Sequence, residues 1–228
     1  MFYYDWTMLL VLPGLLLGIW AQFKVKSSFE KYQRVLSRYG HTAEGIAREL
    51  LSRSGCGAVS IQQTGGSLTD HYDPRANVLR LSSSVYGSSS VAAIGVAAHE
   101  CGHAMQQKDG YAPLRLRSAL VPVVNLGSNL YFPIFLMGLL FSWEPLIYAG
   151  IACFGLTLLF ALVTLPVEFN ASSRAVAALQ NGGYLSGEEL NGAKAVLNAA
   201  ALTYVASAVS SLLQLLRLLI IARRNERD

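Results

Sequence analysis

Three apolar runs, each close to the length of a membrane crossing, constrain this chain more than any other feature. Trp6 to Phe23 is an 18-residue run whose only polar members are Thr7 and Gln22. Leu120 to Phe141 is a run of 22, interrupted by Asn125, Ser128 and Asn129, and Pro145 to Leu165 is a run of 21 without a charge. A helix needs about 20 residues to cross the hydrocarbon core. The residues between the second and third runs, Ser142-Trp143-Glu144-Pro145, leave room only for a tight hairpin. Trp6, Trp20 and Trp143 lie near run ends, where aromatic rings favour the membrane interface. Composition agrees: 53% of the 228 residues are apolar, mean hydropathy is +0.38, and only 14% are charged, against roughly 25% in a soluble domain. Disorder, a collagen-like fibre and a disulfide-stapled mini-protein are excluded.

The charges around the first run distinguish an anchor from a signal peptide. Asp5 precedes it, Lys24, Lys26, Lys31 and Arg34 follow it, and no small-residue cleavage site comes after. An uncleaved anchor is expected, with the N-terminus outside and the basic flank in the cytoplasm. Ala199 to Ala222 is long and apolar but carries Gln214, Arg217 and several serines. If it crosses, Arg223, Arg224 and Arg227 stand outside, against the charge rule, so the expectation is three or four transmembrane helices. Twelve of the 18 Lys and Arg lie from Lys24 to Arg117, and no basic run is interleaved with aromatics. Cytoplasmic retention explains them, and no nucleic-acid partner is expected. The three cysteines, Cys56, Cys101 and Cys153, form no CxxC and no disulfide framework.

The expected organisation is an anchor at 6–23, a polar segment at 24–119, a membrane hairpin at 120–165, a second polar segment at 166–198 and a hydrophobic helix at 199–222. The polar part reads as mainly α with a small β-sheet, an α+β arrangement. Helices are expected at Phe29–Arg38, at Ala43–Arg53 with Thr42 as N-cap and Gly55 as stop, and from Val91 to about Lys108 behind the serines 88–90. A further helix is expected at Val167–Gln180, and Ser186 with Glu189 reads as a capping box for the next one. Strands are expected at Ala58–Gln63 and Asn77–Ser82.

Inside the serine-capped helix stands His99-Glu100-Cys101-Gly102-His103, an H-E-x-x-H pattern. Residues i and i+4 of a helix differ by about 40° around the axis, so His99 and His103 share a face and can chelate one Zn²⁺. Glu100 sits beside them, placed to take a proton from a water in the metal's open position, whose pKa zinc lowers toward about 7. With four histidines in 228 residues, about 0.003 accidental matches are expected. Cys101 lies about 200° around the helix from His99 and is expected to pack rather than ligate.

A catalytic zinc keeps three protein ligands and a water. The remaining candidates for the third ligand are His41, His71, Asp70, Asp73, Glu144, Glu168, Glu188 and Glu189. Glu168 follows the third apolar run directly. Two expected crossings separate it from His103, and an even number returns the chain to the side it left. Glu144 lies at the far turn. The alternative for Glu168 is an interfacial acid beside Arg174 or Arg117.

Three stretches together resemble a known family: Leu68-Thr69-Asp70-His71-Tyr72-Asp73-Pro74-Arg75, Val96 to Gln106 around the histidines, and Leu165-Pro166-Val167-Glu168-Phe169-Asn170-Ala171-Ser172. The HExxH pair with a downstream Glu is similar to the gluzincin metallopeptidases, and the intervening membrane hairpin looks like that of HtpX-like heat-shock proteases. The chain is identified as a member of the bacterial YugP-like family of membrane-bound neutral zinc metallopeptidases, over nearly its whole length. The resemblance implies His99, His103 and Glu168 as ligands of one Zn²⁺ per chain and Glu100 as general base. It implies a peptide or protein substrate and a multi-pass place in a bacterial cell membrane; the basic flank of the first run puts the expected active site on the cytoplasmic face. HtpX-like proteases carry an acid four positions after the ligand Glu. Here that position is Ser172, so outer support is expected from elsewhere, with Asn170 a candidate.

The donor for the reaction's oxyanion is open among His71, Tyr72, Arg174 and Tyr204, with turn and packing roles around Pro74 as the alternative for the first two. The strand Asn77–Ser82 is a candidate to hold an extended substrate by backbone pairing. Two other functions compete with the membrane-anchored endopeptidase. A site-2-type intramembrane protease needs the motif inside a membrane-crossing helix, yet the apolar stretch before His99 is only Val91–Ala98. A non-enzymatic scaffold or transporter component would hold no metal. A membrane-protein partner or a homo-oligomer stays open.

Overall fold

A computed structural model describes residues 6–225. Asp5 and Arg227, which enter the charge argument above, lie outside the described residues. The elements in chain order are α1 (Met8–Gln33), α2 (Ala43–Arg53), β1 (Ser60–Thr64), β2 (His71–Asp73), β3 (Val78–Ser82), α3 (Val91–Lys108), α4 (Ala112–Leu140), α5 (Glu144–Asn181) and α6 (Gly187–Asn225). The chain is mainly helical with one small sheet. Four helices, α1, α4, α5 and α6, are long and apolar enough to cross a membrane. The motif-bearing α3 is not among them.

The chain divides into two compact units. Among the described residues, the first comprises 6–21, 115–165 and 202–225; the second comprises 22–114 and 166–201. In the first, glycines let helices approach closely, as they do where apolar packing rather than water exclusion must hold helices together. A Cβ on Gly138 would meet the Ile147 backbone at 2.6 Å, and one on Gly150 would meet Phe135 at 2.7 Å, so α4 and the start of α5 form a tight hairpin. Gly14 of α1 sits equally close to Ser210 of α6. Arg217 donates from Nε to Thr7 Oγ1 at 3.1 Å, which gives this charge on an apolar helix a polar partner.

The second unit carries the sheet, in the order β1-β3-β2. β1 runs parallel to β3, pairing Ser60 with Val78 through Thr64 with Ser82. β2 is antiparallel to β3, pairing Tyr72 with Leu79. Leu79 and Leu81 are fully buried in one core with Ile46, Leu50 and Leu51 of α2 and much of α3. Thr42 caps α2 by accepting the Gly45 N–H at 3.1 Å, and Ser90 caps α3 by accepting the Ala93 N–H at 3.2 Å.

Several local expectations are corrected. The separate helix at Phe29–Arg38 does not form: α1 runs unbroken to Gln33, and the chain then turns and bridges at Leu36 to Ser90, with Val91 N–H donating to Val35 O and Ser37 N–H donating to Ser89 O. Backbone pairing with the loop before α3 satisfies groups that a helix would otherwise pair internally. The helix expected at Val167–Gln180 is the continuation of α5, with Pro166 inside it. The Glu189 carboxylate accepts the Arg38 N–H at 2.6 Å instead of closing a box with Ser186. His71 and Tyr72 lie in the strand β2, and the turn around Pro74 follows it at residues 74–77.

α3 is rich in small residues, and they set its distance to its neighbours. A Cβ on Gly102 would collide with the Ala171 carbonyl oxygen of α5, and one on Gly95 would press on Ala193 of α6 at 3.3 Å. Gly102→Ala is therefore expected to cost about 3 kcal/mol through overpacking. Gly155→Ala, whose Cβ would meet nothing within 4 Å, serves as the control and should hold or raise the thermal midpoint in detergent. Equal midpoints for the two variants would contradict the close crossing.

Candidate metal centre

The site is built from three pieces of the second unit. α3 presents His99 and His103 one turn apart, with ring centroids 4.8 Å from each other and planes at 84°. α5 brings Glu168, 3% exposed, against them. Its Oε2 lies 3.2 Å from His99 Nε2 and 3.6 Å from His103 Nε2. The third piece is β2, whose Tyr72 N–H donates to Glu100 Oε2 at 2.9 Å.

Both imidazoles are also gripped from behind. His99 Nδ1 lies 3.1 Å from Ser172 Oγ, and His103 Nδ1 lies 3.0 Å from Gln106 Oε1. The two Nε2 atoms are thus left facing the carboxylate. Among the described residues, His99, His103 and Glu168 offer ligand atoms that all lie within 4.8 Å of one another. Ligands at about 2.0–2.1 Å from a tetrahedral zinc sit roughly 3.3 Å apart, and the two imidazole–carboxylate separations bracket that value. Two nitrogens and one carboxylate oxygen are also the donor set of catalytic zinc sites that keep a position for water. The residues fit the ion. Burial opposes a charged His103, but its contact with Glu168 and the nearby Glu100 outweigh it and raise its pKa, so a proton competes with a metal ion for this ring.

Sequence-named residues outside this trio take varied places. Cys101 is buried with Sγ toward Ala47 O at 3.7 Å, and burial pushes its thiol pKa up. His71 is exposed, with Nδ1 2.9 Å from Thr69 O. The Tyr72 hydroxyl donates to Asn77 Oδ1 at 3.1 Å. Asn170 Oδ1 accepts from Gln106 Nε2 at 3.0 Å and from Arg174 Nε at 2.9 Å. Arg174 also donates to Asp109 Oδ2 at 2.5 Å. Tyr204 lies on α6, in the part that groups with the first unit. Asp70 accepts from Ser82 N and Ser82 Oγ, and burial raises its pKa.

Two expectations are overturned here. Outer support of the histidines does not bypass Ser172, because its hydroxyl touches His99 directly. The helical signal was present, since Ser172 stands four residues after Glu168 on the same face. Gln106, three residues after His103, carried a comparable signal. The strand at Asn77–Ser82 is not free to hold a substrate, because β3 is the central strand and both of its edges are paired. The edge directed at Glu100 belongs to β2.

Among the described residues, a histidine pair and a buried glutamate could thus hold a metal ion, in a chain with four helices long and apolar enough to cross a membrane. Comparison with known proteins narrows this. Residues 7–223 match the family described as "putative neutral zinc metallopeptidase", and the chain belongs to that family. It is 48% identical over 212 residues, 93% of this chain and 94% of its relative, to "Putative membrane protease YugP" of Bacillus subtilis. No solved structure matches the chain.

The edge strand that holds Glu100 is itself anchored by Asp73. Its Oδ1 accepts from the Arg75 and Ala76 amides, and its Oδ2 accepts from Arg80 at 2.8 Å. The Arg80 hydrogen bond leads in lowering the Asp73 pKa from 3.8 to about 2. A depressed carboxylate pKa gives stability that is fully present above the unfolded value and is lost as pH falls through the folded one. The difference in thermal midpoint between metal-free wild type and Asp73→Asn should stay constant from about pH 7 to 5 and close between about pH 4 and 2. A difference that does not change with pH would contradict the pairing.

Proposed function

We propose that this chain is a multi-pass, membrane-bound zinc endopeptidase of gluzincin type, holding one Zn²⁺ per chain, with its active site on the cytoplasmic face. The convergence of His99 Nε2, His103 Nε2 and Glu168 Oε2 beside Glu100 carries this reading. Residues 24–119 and 166–198 are the two parts of the peptidase domain. Segments 6–23, 120–165 and 199–222 are its membrane portion.

Zinc bound there supplies Lewis acidity and a water of lowered pKa. Glu100 accepts a proton from the attacking water as its oxygen bonds to the scissile carbonyl carbon. The C–N bond then breaks, and Glu100 returns the proton to the leaving amine. The Tyr72 N–H holds the Glu100 carboxylate in the meantime. Because this N–H points away from β3, the same edge of β2 is the place where an extended peptide can pair, next to Glu100.

Two outcomes are expected. Glu100→Gln should lower peptide cleavage by about 10²–10⁴-fold while zinc stays near one per chain. Unchanged cleavage would sink the mechanism, and a wild type without zinc would favour a non-enzymatic protein. The cytoplasmic placement rests on Lys24, Lys26, Lys31, Arg115 and Arg117 flanking the apolar helices. With α6 as the fourth crossing, a reporter fused after Asp228 should read as extracytoplasmic. A cytoplasmic signal would mean that α6 does not cross.

A further inference from the structure

We infer that Gln106 is the positioning residue that sets the tautomer of His103, and with it the direction of that ligand's lone pair; the inference rests on the zinc reading above. Gln106 is 0% exposed, and a buried amide needs partners of the right kind at each polar atom. Its Nε2 faces Val167 O at 2.8 Å and Asn170 Oδ1 at 3.0 Å. A backbone carbonyl can only accept. The Asn170 atom must be the oxygen as well, because it also receives the Arg174 Nε–H at 2.9 Å and a guanidinium only donates. The orientation of the Gln106 amide therefore follows without reference to His103. A flipped amide would set Oε1 against two oxygens.

Oε1 is thereby turned toward His103 Nδ1 at 3.0 Å, and it can only accept. The imidazole must carry its proton on Nδ1. In the neutral ring that metal binding needs, Nε2 then carries the lone pair, aimed at Glu168 Oε2 3.6 Å away, and either a proton or a metal ion can sit between the two atoms. His99 is held differently. The Ser172 hydroxyl at its Nδ1 can donate or accept, so that contact fixes no tautomer. One ligand is preset by a buried amide tied to α5, and the other adjusts.

The test compares zinc affinity, by chelator competition, in wild type, Gln106→Met, Asn170→Leu and Asn170→Asp. Gln106→Met and Asn170→Leu should bind zinc about 10–100-fold more weakly. Asn170→Asp keeps an acceptor for both donors and should bind at least as tightly as wild type. In metal-free protein, ¹⁵N spectra should show His103 protonated on Nδ1 in wild type and shifted toward the Nε2–H form in Gln106→Met, a change that loss of packing alone would not produce. Unchanged affinity and unchanged tautomer in Gln106→Met overturn the inference. If that variant does not fold, a wild-type His103 that lacks a proton on Nδ1 overturns it. A wild type that binds no zinc overturns the metal reading itself, which is a distinguishable result.

Discussion

The contact of Gly102 with the Ala171 carbonyl is the constraint on which the site depends. At that point the backbones of α3 and α5 meet with no side chain between them. Glu168 lies one turn before Ala171, and His99 and His103 flank Gly102 on α3. Closing the helices to this distance places a buried carboxylate 3.2 Å from one imidazole and 3.6 Å from the other. A single added methyl at residue 102 would force the helices apart. Gln106 reinforces the crossing by donating to the Val167 carbonyl and to Asn170 on the opposite helix.

Burial makes this arrangement consequential. A carboxylate that is 3% exposed is costly to ionise unless positive charge or hydrogen bonds compensate. The two imidazoles and the ion they can share provide that compensation. Glu100 is treated differently. It is only partly buried and takes a backbone amide from a sheet edge, so the two glutamates stand in different environments.

Much of this was legible in the sequence because it is local or counted. The i, i+4 spacing of His99 and His103 follows from helix geometry, and Ser90 and Thr42 cap helices where their side chains predict. The parity of apolar runs kept Glu168 on the side of His103 and set Glu144 aside, while the family resemblance, not the count, implied Glu168 among the remaining acids. Harder to read were features set by tertiary contact. Helical spacing puts Ser172 on the face of Glu168 and Gln106 on the face of His103, but which atom each touches depends on the facing helix. β2 is three residues long and gains its hydrogen bonds from β3, so nothing in its own pattern announces a strand. Glu189 fits a capping box by spacing, yet the Arg38 amide, 151 positions away, takes its carboxylate. The tail of α1 carries helical sequence through Arg38, but pairing of Val35 and Ser37 with the loop before α3 ends the helix at Gln33.

X-ray absorption at the zinc edge of the purified, detergent-solubilised protein tests the central claim most directly. The account predicts a zinc signal from a shell of nitrogen and oxygen at about 2.0–2.1 Å, with imidazole scattering from two histidines and no sulfur. A sulfur shell at about 2.3 Å, from Cys56 or Cys101, or the lack of any bound zinc would contradict it.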